Sequence, residues 1–556
     1  MSKDTYTPWQ RFVSLLELEK KDILQVLYYA AFSGLVALSL PLGIQAIINL
    51  IQGGQISSSW IVLVGLVTLG VVFVGISDLM QLRIIETVQQ RIFTNVSFEM
   101  SYRFPKMNAE AIRNNYPPEL ANRFFETITI QKGLSKVLID LPGSILQIIL
   151  SMILLTFYHP LFIVFGLIVL TTLYFVFQYT GRKGLRTSIV ESKYKYMVAH
   201  WIQEVARSII SFKLSGKTNL ALIKNDHLTE KYLHAREGHF SIIRFQYIKM
   251  IAFKAITTCG LLVIGGLLVL NQQINIGQFV ASEIIILLVI SSIEKLIRGL
   301  DILYDMLTSI EKLGQVLDKP LESTKGEKID FSDGIFIELD KVTYEVANRQ
   351  TPILDNISLD INPTSKILIQ GESGAGKSSF LRMLSGIITI TSGNIYINEL
   401  SMSGLHINHY RAHLGLSLSE EYPFEGTIRE NLTFGSKDIS DKEMIETMND
   451  VGLSKFLKGL PRGLDTILYP EGRQLSFTVA KKIVLARAIL KKPKLLILED
   501  ALGQFCESET RLIIDMLCRP SNPWALVVVS SNEYWRKYCK EIITMKEGRI
   551  DQKSTQ

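Results

Sequence analysis

Residues 365–380 read SKILIQGESGAGKSSF. The apolar run Ile367, Leu368, Ile369 predicts a buried strand and the segment after GESGAGK a helix, so G-x-x-x-x-G-K-S falls at a strand-to-helix turn. Gly371, Gly374 and Gly376 allow the tight turn and a close backbone approach. The amides of Glu372, Ser373 and Ala375 and the start of the next helix then surround a triphosphate. Lys377 is placed to reach the β- and γ-phosphates, and the Ser378 hydroxyl, followed by Ser379, to help hold Mg²⁺. The alternative, a glycine-rich surface turn, requires strand, spacing, lysine and hydroxyl to coincide by chance.

The 556 residues exceed what one core organises, and 47% of them are hydrophobic, which points to a part that lies in lipid. The net charge of +6 is mild over this length, and no Lys/Arg-rich block points to nucleic acid. Cys259, Cys506, Cys518 and Cys539 have no framework spacing and read as reduced thiols. The start, MSKDTYTPWQRFVSLLELEKKD, lacks an uninterrupted apolar stretch and a small-residue cleavage site, so it is not a cleavable signal.

Between Asp22 and Asp78 no residue is charged, and the same holds between Asp140 and Arg182. These stretches, with 247–300, predict six membrane helices at about 23–50, 59–84, 137–158, 160–181, 247–270 and 278–300. They form three hairpins broken at QGGQISSS, at Tyr158-His159-Pro160 and at NQQINIG. Pro41 is expected to kink the first helix. The short connections contain no Lys or Arg, whereas the long ones contain many, which places the long connections and both termini on the cytoplasmic side. QLRIIETVQQRIFTNVSFEMSYRF and SIVESKYKYMVAHWIQEVARSIISF have helical apolar spacing and extend the membrane helices into the cytoplasm, with a breaker at 114–118. Glu283 is an intramembrane carboxylate near the outer end of the last helix, a functional candidate or a residue facing a water-filled cavity or the headgroups. The domains expected are 1–318 in the membrane, a polar linker at 319–332, and 333–556 for the nucleotide.

From about residue 336 short apolar strands alternate with helices. Six membrane helices followed by such a domain resemble an ABC exporter half-transporter, similar to type I secretion and peptide exporters. The fold implied is an all-α six-helix transmembrane domain plus an α/β P-loop (RecA-like) nucleotide-binding domain with a helical subdomain. PPELANRFFETITI resembles the family's first coupling segment and WIQEVARSIISFKLSG the second; FEGTIRENLTFG, LPRGLDTILYPEGRQLS and AKKIVLARAILKKPKLLILED match family patterns in order and spacing. The resemblance implies ATP and Mg²⁺, a dimer with a second half-transporter, identical or different, and each ATP held between one phosphate loop and the partner's signature segment.

The chain departs from the family at several of its functional positions. Ser419 stands where the family places a glutamine that touches Mg²⁺ and the attacking water. The signature LSGGQ is Leu475-Ser476-Phe477-Thr478-Val479: Ser476 keeps the hydroxyl, while Phe477 puts bulk where glycine admits phosphate. After the strand 495–498 stand Glu499, a metal ligand, and Asp500, a catalytic base one methylene short of the family's glutamate. Gly503-Gln504-Phe505-Cys506 replaces S-A-L-D, and Ser531 replaces the switch histidine. Val346 holds the usual place of the adenine-stacking aromatic, so Tyr344 is the nearest ring. ATP binding with slow hydrolysis is therefore expected, and both sites of any dimer containing this chain are impaired.

Two functions remain open. One is an ATP-dependent exporter subunit in a bacterial inner membrane moving a peptide, protein or amphipathic molecule, without a built-in peptidase for leader cleavage. The other is an ATP-sensing or scaffolding partner of an active half-transporter, or of a periplasmic adaptor. A soluble phosphate-loop kinase or GTPase does not accommodate the apolar spans.

Overall fold

The computed structural model describes residues 6–53, 58–113, 115–347 and 349–555. The expected break at QGGQISSS lies largely outside these residues, as does Asn114 of the expected breaker. Two units emerge: Met1–Lys106 with Asn114–Lys319, and Met107–Arg113 with Pro320–Gln556.

The first unit is helical. Its elements are α1 (Pro8–Leu18), α2 (Lys20–Ala37), α3 (Ser39–Gln52), α4 (Ser58–Arg103), then, after a short α5 (Ala109–Ile112) assigned to the second unit, α6 (Pro117–Asn122), α7 (Glu126–Tyr158), α8 (Leu161–Arg207), α9 (Ile209–Leu214), α10 (Leu220–Leu270) and α11 (Ile276–Leu317). At 1.5 Å per residue the 51 residues of α10 span roughly 77 Å, far more than a hydrocarbon core of about 30 Å. The membrane helices therefore continue well beyond lipid. Among the described residues five helical stretches are long and apolar enough to cross a membrane. The sixth expected span falls within α8, where side chains at several positions between 165 and 180 lie outside the description.

The first span is two helices rather than one kinked helix, divided at Leu38. Pro41 has no N–H to offer the carbonyl of Ala37, and the ladder breaks one turn before the proline. Burial in α4 follows Ser77, Gln81, Ile85, Val88, Ile92, Val96 and Met100, steps of three and four that trace one stripe. The centre of the unit is α11 against α7, where glycines let the helices approach. A Cβ on Gly133 would lie 2.8 Å from Met306 Cβ, and one on Gly299 2.9 Å from a Leu141 methyl.

The second unit is layered α/β. An antiparallel sheet has the order β2 (Leu354–Ile361), β1 (Ile337–Tyr344), β4 (Ser392–Ile397), β5 (Leu400–Ser401). A six-stranded sheet has the order β12 (Arg549–Thr555), β11 (Glu541–Lys546), β3 (Lys366–Gly371), β10 (Ala525–Val529), β9 (Leu495–Glu499), β6 (Leu414–Ser417). All its pairings are parallel except β11 with β12. Buried Val, Ile and Leu fill the inner strands, as expected where both faces of a parallel sheet are covered. The helices are α12 (Lys377–Leu384), α13 (Ile407–Ala412), α14 (Ile428–Thr433), α15 (Asp441–Asp450), α16 (Ser454–Lys458), α17 (Phe477–Leu490) and α18 (Glu507–Leu517), and a small ribbon joins β7 (Gly426–Thr427) to β8 (Ile467–Leu468).

The polar stretch expected as a free linker is packed into this unit. Glu322 takes both ends of the Arg411 guanidinium, Leu321 bridges to Met107, and Phe331 is buried in the core. The expected boundary of the first domain also differs from the observed one. Residues 107–113 belong to the nucleotide unit, whereas PPELANRFFETITI lies in the helical unit. The cause is local: Asn108 caps α5, its amide donates to the Pro320 carbonyl, and Glu110 and Arg113 both bond Tyr344.

Candidate nucleotide-binding site

Parallel strands in register bring four distant stretches of sequence to one edge. Ile369 pairs with Val529, Val529 with Glu499, and Leu498 with Ser417. The carboxyl ends of β3, β10, β9 and β6 thus present, in order, the phosphate loop, Ser531, the Glu499–Asp500 pair and Ser419. Ligands of open parallel sheets bind at such an edge.

The phosphate loop requires its glycines. Gly371 has φ +145°, and a Cβ there would lie 2.2 Å from the Met545 carbonyl oxygen; Gly376 has φ +95°, with the Ile353 carbonyl 2.7 Å from its would-be Cβ. A Cβ on Gly374 would meet nothing within 4 Å, so this glycine faces open space and its φ of +85° aims the backbone. Ala375 is buried, while Glu372 and Ser373 are exposed beside a cavity of about 760 Å³ also lined by Arg349, Asp355 and the hairpin at 546–551. Lys377 opens α12, and its Nζ donates to the Gly371 and Glu372 carbonyls, each at 2.7 Å, which keeps the ammonium over the loop. Ser378 and Ser379 follow in the first turn, half-buried.

Glu499 ends β9 with 5% of its surface exposed. Ser419 donates to its Oε2 twice, from the amide at 3.2 Å and the hydroxyl at 3.0 Å. The short side chain therefore reaches the Glu499 carboxylate directly. The other Glu499 oxygen accepts no hydrogen bond among the described residues. Ser378 and Glu499 are hard oxygen donors of the kind that hold Mg²⁺ together with phosphate oxygens, so the residues fit that cation. Asp500 has φ +42°, its amide donates to Val529, and partial burial followed by the Glu499 charge holds its carboxyl above the ordinary aspartate range, with Lys377 pulling the other way. Ser531 is exposed after β10.

Of the two remaining expected binding residues, Tyr344 is placed differently. Tyr344 is 4% exposed, and its hydroxyl donates to Glu110 at 2.6 Å and accepts from Arg113 at 2.8 Å. Burial and the bond to Glu110 push the phenol up to about 12. The ring is a core residue rather than a platform for adenine, because after the bulge at Asp340–Lys341 the alternation of β1 turns it inward with Val342. Ser476 is the N-cap of α17: its oxygen accepts from the Val479 amide at 3.3 Å, and its hydroxyl shares a hydrogen bond with the Thr478 hydroxyl at 3.1 Å. Phe477, 39% exposed, is the first residue of that helix, and its ring centroid lies 5.5 Å from the Lys481 ammonium.

The sequence reading missed Lys481. Its buried ammonium donates to the carbonyls of Ser419 at 2.6 Å and Glu421 at 2.8 Å, while Arg487 pairs with Glu421 at 2.7 Å. Burial lowers the Lys481 pKa against the pull of Glu421 and Glu499. The signal was present, since Lys481 and Arg487 are charged residues inside the apolar run AKKIVLARAIL, but their partners lie 60 to 66 residues away.

Residues 354–503 match the family described as ABC transporter. The multidrug resistance protein sirA of Leptosphaeria maculans is 30% identical over 253 residues, 44% of this chain and 20% of that protein. An ATP-dependent lipid A-core flippase of Xylella fastidiosa (strain 9a5c) is 25% identical over 370 residues, 64% of this chain and 63% of the flippase. The chain thus spans less than two thirds of either relative. A solved bacterial Atm1-family ABC exporter with ATP bound superposes with a TM-score of 0.81 at 16% identity, covering 96% of this chain and 95% of that one. On these grounds residues 354–503 carry an ABC transporter domain, and the chain as a whole has the fold of that exporter.

Proposed function

We propose that the chain is one half of a dimeric ATP-driven exporter of a bacterial inner membrane, with both termini cytoplasmic, that binds ATP normally and hydrolyses it slowly. The cargo class is a peptide, protein or amphipathic molecule. The observation that carries the reading is the contrast at the sheet edge. The phosphate loop is fully formed, while Ser419 occupies Glu499 with a short hydroxyl and Asp500 offers a carboxylate one methylene short. Mg²⁺, when bound, supplies charge neutralisation at the phosphates. The chain's own part is to hold the phosphates through the loop amides and Lys377, and to orient water through Asp500 and Ser531.

A general base acts only within hydrogen-bond reach, so a missing methylene lowers the rate while leaving ground-state binding in place. Turnover of the purified full chain beside Asp500→Glu and Ser531→His tests this: each reversion is expected to raise turnover about tenfold or more, with unchanged ATP affinity. Wild-type turnover already at the level of motif-complete exporters would refute it. A second reading, a nucleotide-sensing partner of an active half-transporter, is favoured by the bulk of Phe477 at the first position of the signature helix. Co-purification with a motif-complete half-transporter would select it, and an active homodimer would exclude it.

A further inference from the structure

The helical unit has a half-open cavity of about 430 Å³ between α2, α4, α7 and α11, whose lining mixes apolar residues with charged and hydroxyl side chains. Asp78 and Asp140, the charges that end the two uncharged stretches of the sequence, line it together with Lys136 and Lys295. No ion pair joins these four among the described residues. Asp78 accepts from the Ser33 hydroxyl at 3.3 Å and from the Gln81 amide at 3.4 Å, and Gln81 is 2% exposed. On the same wall Ser144 is 4% exposed, and its hydroxyl oxygen is buried without any hydrogen-bond partner.

Charge in or near lipid is costly, and a purely structural arrangement pairs it directly. Here two anions and two cations stand unpaired around one space, and an orphan hydroxyl adds a further polar group. A volume of this size suits a small solute. Two lysines disfavour a lipophilic cation, two aspartates disfavour a simple anion, and four charged side chains around one space disfavour an acyl chain.

Resting on the exporter reading, we propose that this cavity binds a small zwitterionic solute, as a short peptide with free termini is. Its carboxylate is held by Lys136 and Lys295, its ammonium by Asp140 and Asp78, and Ser144 supplies a hydrogen bond. Asp140, Lys136 and Lys295 are then specificity residues of the cargo path.

The test uses the full chain in lipid nanodiscs with three probes: triglycine, triglycine capped as the N-acetyl amide, and tetraphenylphosphonium. Calorimetry is expected to show triglycine binding, with the capped peptide and the lipophilic cation weaker by about tenfold or more. Asp140→Asn and Lys295→Gln should each weaken triglycine by about tenfold while leaving ATP affinity unchanged. Lys136→Gln serves where either variant fails to fold. No triglycine binding, equal binding of the capped peptide, a preference for tetraphenylphosphonium, or wild-type triglycine affinity in the variants would each overturn the proposal. ATP binding measured on the same samples separates the readings. Its loss with triglycine binding intact counts against the exporter reading alone, and the reverse counts against the cavity alone.

Discussion

At Asp500 one side chain carries both the shortened reach and an unfavourable charge. Its carboxyl is held above the ordinary aspartate range by partial burial and then by Glu499, so the folded chain binds that proton more readily than the unfolded chain does. The resulting stability is fully present below the unfolded aspartate pKa of about 3.9 and is lost as pH rises through the higher folded value. Asp500→Asn, which never ionises, is therefore expected to melt modestly higher than wild type at neutral pH, with the gain vanishing below about pH 4. Thermal melts at both pH values check this. An equal gain at both would assign the effect to something other than the carboxylate. Tyr344 illustrates the same scale: a ring within two positions of the expected platform is removed from the site because strand alternation points it into the core.

Among elements, the join between α17 and the segment after β6 rests on Lys481. Replacing it with methionine keeps the stem and removes the ammonium, leaving two carbonyls, of Ser419 and Glu421, without their donor. Each unsatisfied buried group costs about 1–3 kcal/mol. Lys481→Met is expected to lower the thermal midpoint and to speed amide exchange at 418–422 while α12 stays protected. Unchanged exchange there would show that the segment is held by other contacts. The divided first membrane helix is a second case at this scale, since one missing N–H at Pro41 decides where the ladder stops.

For the whole molecule, a ligand that binds the folded state alone stabilises it, by about 2.7 kcal/mol at a hundredfold excess over Kd. ATP is expected to raise the thermal midpoint of the nucleotide unit, and Lys377→Ala to abolish that rise, because its Nζ is the cation held over the loop. A shift that survives in Lys377→Ala would place the nucleotide elsewhere. The local code sufficed for the existence of the long apolar helices and for the strand-to-helix turn of the phosphate loop. Runs without charge and a glycine-spaced turn after an apolar strand are written in neighbouring residues, and their physics is short-range. The assignment of 107–113 to the nucleotide unit, the inward turn of Tyr344, the hold of Ser419 on Glu499, the Lys481 anchor and the mixed-charge cavity were decided only by the tertiary structure. Each depends on pairings between residues tens to hundreds of positions apart, which strand register and helix packing bring together and which no local pattern encodes.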